Sequence, residues 1–324
     1  MHRRSVLVTA AAASWALTSL RGHAQPAFPN RVLRVVVPFA AGGVGDLTAR
    51  AVAAGLAGRL GQPVVIDNRP GAGGVVAADT VARAEPDGHT LLLMSNGTAV
   101  TASLFKTLPY DTVADFTPVS TLGTFDIAVL VPADSPHRTL AQFLAHARAH
   151  PGQLNVGSIN MGSTQHLAAE LFKSSAGIDA QVVPFNGTPA LITALRGRQV
   201  DAGVEILGSA LPQVRAGALR VLAVTGERRS AVLPDVPTAV ESGVQGFVAS
   251  SWNALAVPAR TPRAVVDRLQ RELVAVLATP AVQQQLRALN VEPRASTPQQ
   301  AAALLKTDID RWRAVIERAG ILTQ

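Results

Sequence analysis

From residue 32 onward, short continuous apolar runs alternate with longer segments in which apolar residues return every three or four positions. Short runs bounded by turn residues suit strands buried on both faces, and the three-to-four spacing suits amphipathic helices. Val32–Val37 predicts a strand. Apolar residues at 47, 51, 52, 56 and 60 predict a helix over Leu47–Leu60, with Gly61 as its stop. Pro63–Asp67 predicts a second buried strand, "NRPGAGG" a loop, Val75–Ala84 a helix and His89–Ser95 a third strand. This order is that of a doubly wound α/β unit.

The pattern then restarts. Strands are predicted at Ile127–Pro132, Leu154–Ser158, Ala180–Phe185, Val200–Ile206 and Leu219–Thr225, separated by helices at Leu140–Ala149, Gln165–Ser175, Pro189–Arg196 and Ala210–Ala216. After "SWNALAVPA" the chain reads as helical over Arg263–Leu277, Pro280–Leu289 and Pro298–Ala319. One sheet holding every strand would be large, so two α/β lobes with a cleft between them are expected, each a mostly parallel sheet flanked by helices. No repeat or low-complexity block interrupts this pattern.

The first residues change the picture by giving the chain an address. Arg3 and Arg4 precede an apolar stretch from Val6 to Leu20, and Gly22 and Ala24 supply small residues before a cut, so residues 1–24 read as a secretory signal peptide. Export by the general or the twin-arginine route fits "RRSVL", and a periplasmic, soluble mature chain is expected. The sequence has no cysteine, which excludes disulfides, thiolate metal sites, thiol catalysis and a lipidated cysteine anchor. The formal charge of +7 falls to +4 without Arg3, Arg4 and Arg21. The remaining basic residues are scattered and not interleaved with aromatics, so a nucleic-acid partner is not expected. A mildly positive field favours small anionic solutes.

The candidate chemistry begins at "VVVPFAAGGVGDLTAR", where a strand breaks into glycines and a helix follows. Gly43-x-Gly45, with Asp67 ending the next strand 22 residues after Gly45, partly fits a dinucleotide fingerprint, but Thr48 stands at the third glycine. A Walker-type loop needs a lysine, and Lys106, Lys173 and Lys306 are all remote. The glycines still free N–H groups at a helix N-terminus, where a carboxylate is stabilised without a cationic side chain. Asp46 either caps that helix or meets an amine on the ligand. "NVGSINMGSTQHLAAELF" repeats the device, with Ser158, Asn160, Ser163 and Thr164 as donors, and "SNGTA" and "PFNGT" are polar loops at the ends of other strands.

Catalytic signatures are missing: there is no G-x-S-x-G elbow, no H-E-x-x-H pair and no carboxylate dyad. His146 and His150 lack a third ligand and suit a helix C-terminus. Ser163, His166 and Asp179 make no recognised triad. The chain therefore reads as a binding protein, not an enzyme, with no cofactor and no metal.

Taken in order, "PFAAGGVGDLTAR", "GQPVVIDNRPGAGG", "ARAEPDGHTLLL", "LPYDTVADFTPVS", "HLAAELF", "LPDVPT" and "SWNALAVPA" resemble the extracytoplasmic solute receptors of the tripartite tricarboxylate transporter system, the TctC-like Bug receptors, from about Phe28 to the C-terminus. The resemblance implies a type II-like periplasmic binding protein, a Venus flytrap with residues 25–125 and 247–324 in domain I and residues 126–246 in domain II. Hinges are expected near Thr124–Asp126 and Gln245–Ser250. The implied ligand is a small carboxylate: a di- or tricarboxylate, an acidic amino acid or an aromatic acid. Its carboxylate would meet Phe39, Ala40, Ala41, Gly42, Gly43, Gly45 and Asp46. Ser95, Asn96 and Thr98 would close from one lobe, and Ser158, Gly162, Ser163, Thr164 and His166 from the other. Departures from the pattern add Phe185 and Asn186, in "PFNG" where relatives often have "PYKG", and Glu205 where an Asp is usual. The loss of that cation favours a monocarboxylate or an amine-bearing acid. The implied partners are membrane subunits of the transporter or a sensor, and the chain is expected to be a monomer. Rival readings are a receptor serving a signalling partner, and an exported nucleotide-dependent enzyme.

Overall fold

The structure is a computed structural model describing residues 28–323. The predicted signal peptide lies outside the described residues. The chain begins with strand β1 (Leu33–Val37), helix α1 (Val44–Leu60), strand β2 (Val64–Asn68), helix α2 (Val75–Ala82), strand β3 (Thr90–Ser95) and helix α3 (Asn96–Leu104). The long strand β4 (Phe116–Pro132) leads into α4 (Leu140–Ala149), β5 (Leu154–Ile159), α5 (Thr164–Ala176), β6 (Ala180–Phe185), α6 (Thr188–Arg196), β7 (Ala202–Ile206), α7 (Leu207–Arg215) and β8 (Leu219–Val224). Strand β9 (Ser250–Pro258), helices α8 (Arg263–Leu277) and α9 (Pro280–Ala288), strand β10 (Val291–Pro293) and helix α10 (Pro298–Ala319) complete it.

The strands run β2-β1-β3-β9-β4-β7-β5-β6, with β10 and β8 also paired to β4. The two lobes therefore share β4. From Phe116 to Asp126 it pairs antiparallel with β9, and from Ile127 it pairs with β7, while Ala128–Pro132 pairs with β8. The outer strands of each lobe are parallel, β2-β1-β3 on one side and β6-β5-β7 on the other. A seventeen-residue strand was not legible, because Pro118 and Gly123 break its apolar pattern. Register shifts after Pro118 and after Thr121 absorb them, as bulges do.

Three further expectations are corrected. Strand β2 is half-exposed at the sheet edge rather than buried. "SNGTA" is not a loop: Ser95 caps α3, accepting from Gly97 N–H while Thr98 Oγ1 accepts from Ser95 N–H. "SWNALAVP", which carried no predicted element, is the central strand β9. Helix α1 also starts three residues earlier than its apolar periodicity suggests, directly after Gly43. Gly61 ends it in the left-handed region, at φ 66°.

The buried core runs without a break from β1, β3 and β9 through β4 to β5 and α5, and a second cluster lies between β4, α6, α7 and β8. Helix α10 packs on α3 and β4 and reaches α5. No helix among the described residues is long and apolar enough to cross a membrane.

Candidate functional site

Strand ends and helix starts from both lobes converge on one cleft, as the carboxyl ends of strands do in open α/β sheets. Two adjoining spaces, about 530 and 480 Å³ of atom-free volume, meet at Phe39, Ser95 and Asn160. The first is lined by the β1–α1 turn (Phe39, Ala40, Gly43–Gly45), by Ser95, by Phe125 of β4 and by Ser251 and Asn253 of β9. The other lobe contributes Ile159 and Asn160 after β5, Thr164 and Gln165 of α5, Gly187–Pro189 at the start of α6, and Ile206. The second space lies between Gly71, Gly73, Gly74, Thr98, Thr101 and Tyr110 on one side and Asn160 and Ser163 on the other.

The lobes are in contact across this cleft. A Cβ placed on Gly162 would stand 3.3 Å from Gly73 Cα, and one placed on Gly43 would stand 3.8 Å from Thr188 Oγ1. The described conformation is closed.

The first turn is shaped by Asp46. Its carboxylate accepts from Gly42 N–H at 2.9 Å, from Asn68 Nδ2 at 2.9 Å and from Arg50 Nε at 3.0 Å, and Asn68 Nδ2 also reaches the Phe39 carbonyl at 3.0 Å. Burial alone would raise the Asp46 pKa. The bonds from Arg50, Gly42 and Asn68 outweigh it and hold the carboxyl below the ordinary range. Asp46 thus staples the turn from behind, and Gly42 adopts φ 89° to complete it.

No Asp, Glu, Lys or Arg lines either space. The local field comes instead from helix ends. Helices α1, α6 and α7 have Gly43, Gly187 and Ile206 at their N-caps with no side-chain cap, and all three residues line the cavity. Free N–H groups and the positive ends of these dipoles therefore face it. Helix α5 adds its first turn, although Ser163 Oγ there accepts from His166 N–H and donates to Ile159 O. This arrangement holds an anion without a countercharge.

Strand β9 supplies the polar groups that sequence reading missed. Ser251 and Asn253 point into the cavity by period two, while Trp252 faces α10, where its Nε1 donates to Asp308. Asn253 stands opposite Ser95 in the ladder, is 1% exposed, and has neither amide atom bonded among the described residues. A buried amide left unpaired in a cavity wall marks a place for a ligand's polar group. The signal was a lone Asn in an otherwise apolar run.

Of the predicted residues, Phe39, Ala40, Gly43, Gly45, Ser95, Thr98, Ser163 and Thr164 line the cleft. Ala41, Gly42, Asp46, Asn96, Ser158, Gly162, His166, Phe185, Asn186 and Glu205 do not. Asp46 is occupied by the turn, and Asn96 Nδ2 donates to Asp308 Oδ2 at 2.6 Å. Ser158 and His166 are buried beside the strand and helix they belong to, and burial lowers the His166 pKa, keeping the ring neutral. Burial also pushes the Tyr110 phenol up to about 12, so it remains a neutral hydrogen-bonding group. His146 and His150 lie ring against ring at the end of α4, centroids 4.2 Å apart and tilted by 34°. Among the described residues no group of His, Asp or Glu is placed to hold a metal ion.

Glu205 lies behind the wall, with no exposed surface; its Oε1 accepts from Gln165 Nε2 at 2.8 Å and from Ile206 N–H at 2.7 Å. Burial raises its pKa above the ordinary 4.5, against the lowering effect of these bonds. The unfolded chain loses this proton near 4.5, whereas the folded chain keeps it to higher pH, so stability falls as pH rises through that window. Glu205→Gln removes the ionisation. Thermal melts at pH 4 and pH 7 should show the variant gaining stability relative to the parent at the higher pH; a relative loss there would mean that the charged form is the favoured one.

The chain matches the model of the tripartite tricarboxylate transporter family receptor over residues 48–321. It is 35% identical to the protein BugT of Bordetella pertussis over 295 residues, 90% of each chain. Among solved structures it superposes on R. palustris Rpa4515 with adipate at a TM-score of 0.88, with 34% identity, covering 91% of this chain and 99% of the other. MatC from Rhodopseudomonas palustris with bound malate gives 0.84 and 36% identity, over 89% of this chain and 100% of the other. The periplasmic binding protein BugD superposes with a TM-score of 0.87 and 31% identity, over 92% of this chain and 100% of the other. The chain belongs to the tripartite tricarboxylate transporter family of receptors.

Proposed function

We propose that this protein is a periplasmic receptor that captures a small carboxylate between its lobes and delivers it to membrane subunits of a tripartite tricarboxylate-type transporter. The observation that carries the reading is a closed cavity with no charged side chain in its wall, faced by the uncapped starts of α1, α6 and α7. A carboxylate gains from those N–H groups and dipoles, whereas their positive ends disfavour a cation. Adipate in one neighbour and malate in another, both small dicarboxylates, agree in chemical class.

In this reading residues 1–24 direct export, residues 25–125 and 247–324 form domain I, and residues 126–246 form domain II. Closure would turn about the point where β4 exchanges β9 for β7, between Asp126 and Ile127, and about residues 245–250. The site offers no nucleophile with an adjacent base, so binding rather than turnover is its work.

A thermal-shift screen of the mature chain tests the reading. At least one small carboxylate should raise the melting temperature, by about 3 kcal/mol of linkage at a hundredfold excess over its Kd. Stabilisation by sugars or amines, with none from a broad acid panel, would refute it.

A further inference from the structure

Asn253 in β9 is 1% exposed, and neither its Oδ1 nor its Nδ2 has a hydrogen-bond partner among the described residues. It lines the cavity with Ser95, its neighbour across the ladder, and with Ser251. Ser95 is engaged elsewhere, its Oγ accepting from Gly97 N–H at the start of α3. No charged side chain lines the space to engage either amide atom. Because both atoms are free, the way the amide is turned does not matter. Either orientation sets an N–H donor beside a carbonyl acceptor in one plane.

Ligand groups differ in how much of this pair they use. An ionised carboxylate or an ester has acceptors only, so it meets Nδ2 and leaves Oδ1 desolvated and unpaired. An ammonium meets Oδ1 and leaves Nδ2, and a hydrocarbon meets neither. A carboxamide or a ring lactam also sets an N–H beside a carbonyl, so it meets both atoms through two parallel hydrogen bonds. Each atom left unpaired in a buried wall costs affinity, which is how polar pockets reject analogues lacking the matching group.

We infer that Asn253 selects carboxylates bearing a carboxamide or lactam over analogues of the same charge that lack its N–H. This rests on the carboxylate reading and narrows it: the charged end goes to the helix starts and the neutral amide to β9.

The test is calorimetric titration with pairs matched in charge and size: glutaramate against monomethyl glutarate, succinamate against monomethyl succinate, and pyroglutamate against the lactone of the same ring. In each pair that binds, the amide should bind about 10- to 100-fold more tightly than the ester or lactone. Asn253→Leu, close in shape but without either polar atom, and Asn253→Ser should each bring that ratio to within about twofold. A merely structural role for Asn253 would instead lower both affinities together and leave the ratio where it was. Equal affinities within every pair that binds, or a ratio unchanged in both variants, would overturn the inference and leave the carboxylate reading standing. Binding of other acids with none of the three amides would do the same. Failure of every acid to bind would overturn both.

Discussion

Gly208→Ala is expected to weaken carboxylate binding about 10- to 100-fold while the variant remains folded. Gly208 lies in the first turn of α7, where a Cβ would run into the backbone carbonyl oxygen of Leu289 and stand 3.3 Å from Val44 Cγ2. Leu289 ends α9 at a corner leading to β10, and β10 is pinned to Gly123–Phe125 of β4. The obstacle is main chain, so no rotamer change relieves it. Helix α7 and that corner must move apart, carrying with them Ile206 and Val44, which both line the cavity. The N–H groups facing the ligand lose their spacing, and the cost appears as affinity. Titration of the variant against the parent's best carboxylate checks this; an unchanged Kd would show that the contact does not govern closure.

Asp308→Leu is the second large effect, on stability. Asp308 Oδ2 accepts from Asn96 Nδ2 and Trp252 Nε1, each at 2.6 Å, and all three side chains are buried. Hydrogen bonds to a charged acceptor contribute about 1.5–3 kcal/mol each, so removing the acceptor should cost roughly 3–5 kcal/mol. In a chain of this size the melting temperature should drop by about 10 °C. Asp308→Asn, which keeps one oxygen, should recover part of the loss. The same bonds join α10 to the start of α3 and to β9, beside Ser95 and Asn253. Ligand affinity should therefore fall with stability in Asp308→Leu; thermal melts and titration of both variants measure the two effects.

The alternation of buried strands with amphipathic helices was legible because each short apolar run lies inside one of the two lobes. Leu140–Ala149 and Ala180–Phe185 fall where their patterns place them. Illegible were the features set by pairing over long separations. Strand β4 is a single strand because β9, β10, β7 and β8 fix successive parts of it, and nothing within "FTPVSTLGTFDIAVLVP" announces partners that lie more than 70 residues away. The helix starts were legible as donor-rich glycine turns, and these carry the candidate site. Which side chains face the ligand was not. Asp46 and Asn96 look like ligand contacts in sequence, yet Arg50, Asn68 and Asp308 occupy them. Asn253 looks like a strand residue, yet it faces the cavity unpaired.

The central claim is that uncapped helix starts in a wall without charged side chains hold an anionic carboxylate. The most direct measurement is calorimetric titration of the mature chain with the acid that stabilises it most and with that acid's methyl ester and primary amide. Losing the charge at the α1 turn should weaken binding at least about 10-fold, as the loss of charge-assisted hydrogen bonds does. Binding of the ester or amide as tight as that of the acid would contradict the account.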